Sequence, residues 1–83
     1  MRVLFAAGRV HEVTDVEVVG MDVGDGQIIG TQINFLLSNG NKMEFIYSQE
    51  VPIEESGQMA VEFVQELYRN GFADFSQQRV EML

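Results

Sequence analysis

Hydrophobic and polar positions along this chain follow two different periods, and the change from one to the other falls at Pro52. Before it, Val, Ile, Leu and Phe alternate, imperfectly, with polar residues, near the two-residue period of strands whose side chains point to two faces. After it, Met59, Ala60, Phe63, Val64 and Leu67 recur at spacings of three and four. At about 100° per residue they cover about 140° of arc, the apolar stripe of one amphipathic helix.

The strand half divides at its turn residues. Arg2 to Ala6 reads as a short strand, closed by a bend at Gly8-Arg9. Val10 to Val23 reads as a long valine-rich strand in which Val10, Val16 and Val18 share a phase that Val13 does not. A bulge near Thr14-Asp15 reconciles them. Asp25-Gly26, set between apolar runs, has the chemistry of a two-residue hairpin turn, whose central residues both need positive φ. That turn sets Val23 opposite Ile28, Val18 opposite Ile33 and Val16 opposite Phe35, so their side chains share one face, with Leu37 following in phase.

The second turn, Ser38-Asn39-Gly40-Asn41, allows two registers. A two-residue Asn39-Gly40 loop sets Phe35 against Glu44 and mixes the faces. A three-residue loop, Asn39 to Asn41, pairs Leu37 with Met43, Phe35 with Phe45 and Ile33 with Tyr47. Because a one-residue slip moves every side chain to the other face, the apolar pattern favours the three-residue loop, with Asn41 or Gly40 in the left-handed region.

The helix is expected to begin between Ile53 and Gly57 and to run to about Asn70. Ser56 is the natural N-cap, and Glu54 and Glu55 place negative charge where the helix dipole favours it. Gly71 suits the left-handed position after the last turn, with Phe72 expected to fold back on Leu67. The tail from Ala73 to Leu83 carries two patterns. Phe75, Ser76 and Val80 are spaced like a hydrophobic staple around a helix start, whereas Arg79-Val80-Glu81-Met82 alternates like an edge strand; the staple spacing tips the expectation to a short helix. The reading is a single α+β domain over residues 1–83. Its antiparallel sheet has about four strands in a meander of hairpins, packed on one C-terminal helix and followed by this short tail.

Composition changes the picture chiefly by exclusion. The chain is 46% hydrophobic and 22% charged, a globular balance. It has no cysteine, which removes disulfides, thiolate catalysis and Cys-ligated metal centres and points to a reducing cytoplasm. The apolar run near Met1 is short for a signal peptide, and no stretch approaches the roughly 20 apolar residues of a membrane span. The net charge of −8 would be repelled by nucleic-acid phosphates and anionic membranes, so neither is an expected partner.

Candidate chemistry is sparse. His11 is the only histidine, and Arg2, Arg9, Lys42, Arg69 and Arg79 are dispersed. Asp22-Val23-Gly24-Asp25-Gly26 resembles the start of a calcium loop, but the twelfth position from Asp22 is Ile33, where a bidentate Glu is required. Gly20, Gly24 and Gly26 are followed by a strand where a phosphate-binding loop needs a helix. Asp15 and Glu17 lie two apart on one strand face without the cleft that paired catalytic carboxylates need. No catalytic residue, cofactor or metal is expected.

Binding surfaces remain. Glu55, Glu62 and Glu66 fall within about 40° on the outer side of the helix, with Arg69 nearby. Val13, Val19, Leu36 and Ile46 fall on the sheet face opposite the helix, interleaved with Asp15, Glu17, Asn34 and Glu44. The expected partner-binding residues are Glu55, Glu62, Glu66, Asp15, Glu17, Leu36 and Ile46. The expected partner is another protein with a basic surface, one that normally binds nucleic acid being a natural target for an acidic blocker. Short, cysteine-free and acidic, the chain is similar in overall profile to phage-encoded inhibitors of host nucleic-acid enzymes, a likeness of composition with no motif behind it. The alternative is a homodimer or larger assembly formed through an exposed sheet face or edge.

Overall fold

The computed structural model describes residues 1–22, 26 and 28–83. Strands β1 (Arg2–Leu4), β2 (Val10–Asp22), β3 (Ile28–Leu37) and β4 (Lys42–Tyr47) are followed by helix α1 (Ile53–Asn70) and two short strands, β5 (Phe72–Asp74) and β6 (Val80–Met82). The architecture is α+β, with one helix on a curled, mostly antiparallel sheet ordered β5-β1-β2-β3-β4-β6. Six strands replace the expected four because the tail forms no helix. Its first part pairs parallel with β1, Arg2 against Phe72, and its last part pairs antiparallel with β4, Tyr47 against Val80.

The first hairpin has the expected register, with Val18 opposite Ile33 and Val16 opposite Phe35. The pairing runs out at Asp22↔Ile28 after an irregularity at Met21/Asp22. Ile28, expected opposite Val23, therefore pairs with Asp22; the Asp25-Gly26 turn falls on Asp25, outside the described residues, as does most of the calcium-like segment. The expected bulge is present: Val13 pairs with Leu37 and Asp15 with Leu36, leaving Thr14 over, its hydroxyl bonded to the Leu36 carbonyl at 3.2 Å. Its effect on the faces differs from expectation. The extra residue brings Val13 to the inner face, 1% exposed, and turns Val10 outward, 52% exposed.

The second hairpin is shifted by two residues. Phe35 pairs with Met43 and Ile33 with Phe45, around a three-residue loop Ser38–Gly40 instead of Asn39–Asn41. The Gly40 N–H bonds the Leu37 carbonyl at 3.0 Å and the Leu37 N–H bonds the Asn41 carbonyl at 2.8 Å. This is a turn closed by a left-handed residue, and Gly40 takes that place at φ 89°.

The helix begins at Ile53, the early end of the expected range, with Pro52 at the N-cap in place of Ser56. Ser56 is not a cap: it is buried in the first turn, its hydroxyl donating to the Ile53 carbonyl at 2.8 Å and accepting from Thr31 Oγ1 at 2.8 Å. The helix stops as predicted, at Gly71 (φ 70°), whose N–H bonds the Leu67 carbonyl at 2.7 Å. Phe72, expected to close over Leu67, instead opens β5 and is 42% exposed.

Ala60, Phe63 and Leu67 on the buried side of α1 meet Ile33, Phe35, Phe45 and Tyr47 of the sheet. At the centre stand five of the six phenylalanines, Phe5, Phe35, Phe45, Phe63 and Phe75. Neighbouring centroids are 5.0–6.0 Å apart, mostly edge to face, the arrangement that the ring quadrupoles favour. Phe5 and Phe75 reach this cluster because β1 and β5 bring both ends of the chain to the same side of the sheet. His11 packs edge-on against Phe5 at 5.6 Å, half-buried.

Candidate protein-binding surface

The helix covers the inner face of the sheet. β1, β5 and β6 extend the sheet at its sides, so the outer face of β2, β3 and β4 is where unburied side chains gather. Cross-strand pairing arranges them in rows. Asp15, Leu36 and Lys42 form one row, Glu17, Asn34 and Glu44 the next, and Val19, Gln32 and Ile46 the third, with Glu81 of β6 beyond Ile46.

The first two rows line a shallow groove of about 340 Å³. Three carboxylates, Asp15, Glu17 and Glu44, share it with one base, Lys42. All four are exposed, as is Leu36 between them. Gln32 is the internal tie: its amide donates to Asn34 Oδ1 at 2.8 Å and to Glu44 Oε2 at 3.2 Å. Asp15 Oδ1 accepts from the Val16 N–H at 2.9 Å and from the Tyr68 hydroxyl of the helix at 3.4 Å, which holds one oxygen toward the strand edge. Lys42 forms no ion pair within 4.0 Å; among the described residues the ion pair found joins the Met1 ammonium to Glu12 at 3.2 Å.

The structure therefore brings together Asp15, Glu17 and Leu36, three of the seven residues singled out in the sequence. It places Ile46, half-buried, one row further along. The helix residues lie elsewhere. Glu62 and Glu66 edge a smaller recess of about 160 Å³ with Met59, Phe63, Asp74 and Gln78. Glu62 accepts a bond from Gln58 at 3.0 Å, one turn away. Glu55 is exposed in the first turn and does not join them. Of the carboxylates singled out, Asp15 and Glu17 thus lie on the outer sheet face, Glu62 and Glu66 on the flank of α1 toward the tail, and Glu55 apart from both.

Glu44, Lys42, Gln32 and Tyr68 complete the sheet patch and were not among the sequence candidates. Glu44 was already expected on this face; the two-residue slip only moves it from beside Leu36 to beside Asn34, in the row of Glu17. The signal for Gln32 and Asn34 was present in the first hairpin, whose correct register already set Asn34 opposite Glu17.

Chemically, the sheet patch offers exposed, fixed negative charge around one apolar side chain. Among the described residues no three His, Asp or Glu side chains converge in a way that could hold a metal ion, and no helix is long and apolar enough to cross a membrane. Among the described residues, burial pushes Tyr47 from 10.0 to about 12. It lies beside β6 on the inner face, away from the groove, with its hydroxyl on Gln78 Oε1 at 2.9 Å. Comparison with protein-family models, with curated proteins and with solved structures found no match for this chain.

Proposed function

We propose that this chain is a non-enzymatic, cytoplasmic protein-binding module whose outer sheet face engages a basic surface of a partner protein. The inhibitor-like form of this reading is that it occupies a surface which otherwise binds nucleic acid. The observation that carries it is the row structure of the outer face. Asp15, Glu17 and Glu44 stand side by side, exposed and offset by a single lysine, on a chain of net charge −8. Charge on an open face acts over about 8 Å at physiological ionic strength, suiting the steering of a large charged partner better than the enclosure of a small molecule.

The test is a pair of charge reversals. Asp15→Lys with Glu17→Lys should abolish capture of a basic partner from a native extract at physiological salt, and the unaltered chain should release that partner steeply as salt rises. Glu62→Lys with Glu66→Lys should leave capture nearly unchanged. Equal capture by the first variant removes the sheet face as the dock, and loss in the second alone moves the site to the helix flank. Self-assembly through the sheet is the competing reading. It predicts a mass that grows with concentration in sedimentation, and an association that survives high salt.

A further inference from the structure

β2 has two kinds of edge. From Val10 to Glu12 it has β1 on one side, and at Val13 the backbone still bonds Met1. From Thr14 to Asp22 it is paired, among the described residues, with β3 alone. The bulge decides which backbone groups this leaves over. In an antiparallel strand alternate residues turn their N–H and C=O groups to opposite sides. The Val13 N–H points to the β1 side, toward the Met1 carbonyl at 2.6 Å. The extra residue at Thr14 shifts that phase by one, so Val16, Val18 and Gly20 face the open side. The Val16 N–H fits this assignment, being held by Asp15 Oδ1 and not by β3. A run of unpaired groups on a strand edge is a template for another strand.

α1 crosses the inner face over β3 and reaches this edge near its end. Near its start Ser56 is bonded to Thr31, which pairs with Gly20; near its end Tyr68 reaches Asp15. The flank that carries Tyr68 also carries Val64 and Val61, one and two turns earlier. Val61 is 48% exposed, Tyr68 55% and, on the inner face of the strand, Val18 36%. The edge therefore forms the floor of a slot with an apolar inner wall from the helix and an acidic outer rim from Asp15 and Glu17.

We propose that this slot takes an extended segment of the partner as a seventh strand, one in which basic and apolar residues alternate. Successive side chains of an added strand point to opposite faces. Those on the outer side meet Asp15 and Glu17, and those on the inner side meet Val18, Val61 and Tyr68. A second copy of this chain is a poorer occupant. Two such edges side by side would bring the Asp15 and Glu17 carboxylates of both chains together, on molecules that each carry a net charge of −8. The inference rests on the partner-binding reading above and adds the mode of engagement.

The test uses a short, acetylated and amidated peptide of alternating lysine and valine, titrated into the full chain. Two controls accompany it: the same residues with lysines and valines in separate blocks, and the alternating peptide N-methylated along one backbone edge. The alternating peptide should bind at least about tenfold more tightly than either control, since only it combines the backbone bonds with correctly placed side chains. Binding should slow amide hydrogen exchange at Val18 and Gly20. Val61→Lys, an exposed change that leaves the fold intact, should weaken binding on the order of tenfold. Equal binding of all three peptides, lost on Asp15→Lys with Glu17→Lys, overturns strand addition and leaves the acidic-face reading standing. No binding of any peptide, with no effect of the charge reversals on partner capture, overturns both. Exchange protection at Val18 that grows with protein concentration alone assigns the slot to a second copy and overturns the proposal.

Discussion

The two edges of the β2–β3–β4 meander end differently. On the β4 side the tail returns as β6, and Tyr47 beside it is 3% exposed with its hydroxyl bonded to Gln78. On the β2 side β1 covers the start of the strand, and beyond Val13 the edge is open. Tyr68 there is 55% exposed and reaches Asp15. Both strands turn large apolar side chains to the inner face, Val16 and Val18 in β2 and Phe45 and Tyr47 in β4, in alternation with outward residues. Composition thus does not set burial here; what sets it is whether the chain comes back to lie alongside. A closed edge contributes to the core, and an open one leaves apolar and backbone groups for something else to cover.

The sharpest way to break this contrast is to remove the side chain that brings the tail back. Phe75 lies between β5 and β6 and packs at 5.0 Å from each of Phe35, Phe45 and Phe63. Phe75→Ala should cost about 3–5 kcal/mol in urea unfolding, as much as Phe63→Ala on the helix. A cost below about 1 kcal/mol would mean that the tail is not part of the cooperative core.

The next comparison is within β2 itself. Val13, 1% exposed between β1 and β3, should lose about 2–3 kcal/mol on substitution by Ala. Val18, five residues along the same strand and 36% exposed, should lose less than about 1 kcal/mol. Equal losses would show that the open edge is covered in solution, and concentration dependence of the Val18→Ala effect would identify a second copy as the cover.

How much of this was legible in the sequence follows the range of each interaction. The helix stripe, the Gly71 stop and the bulge at Thr14 are local, and their chemistry is contained in a few residues. The second hairpin was not decided by pattern because a slip of two residues keeps every side chain on its face; only the turn geometry at Gly40 separates the two registers. Ser56 had the right side chain for a cap, but its hydroxyl is engaged by Thr31, a contact between residues far apart in the chain. β6 showed its alternation at Arg79-Val80-Glu81-Met82 but competed with a helix-like spacing, and β5, three residues long, pairs with the opposite end of the chain. The same division applies to the candidate surface. Asp15 and Glu17 could be read from strand alternation alone. Tyr68 could not, because its place beside Asp15 depends on the direction in which the helix crosses the sheet.

The smallest effect tests the closed edge by pH. Burial beside β6 raises the Tyr47 hydroxyl from 10.0 to about 12. The folded chain therefore holds this proton more tightly than the unfolded chain does. Below pH 10 both states are protonated at this group, and its contribution to stability is fully present. Between about 10 and 12 the unfolded state ionises first, so the contribution is lost as pH rises. Tyr47→Phe removes that proton. The variant should match the unaltered chain closely at neutral pH, where Gln78, only partly buried, can bond to water in place of the hydroxyl. Its urea midpoint should then fall less steeply than that of the unaltered chain above pH 10. Both chains carry Tyr68 and the same lysine and arginines, so the difference between the two curves isolates Tyr47. Parallel curves through that range would place Tyr47 in contact with solvent, and the β4 edge would then be as open as that of β2.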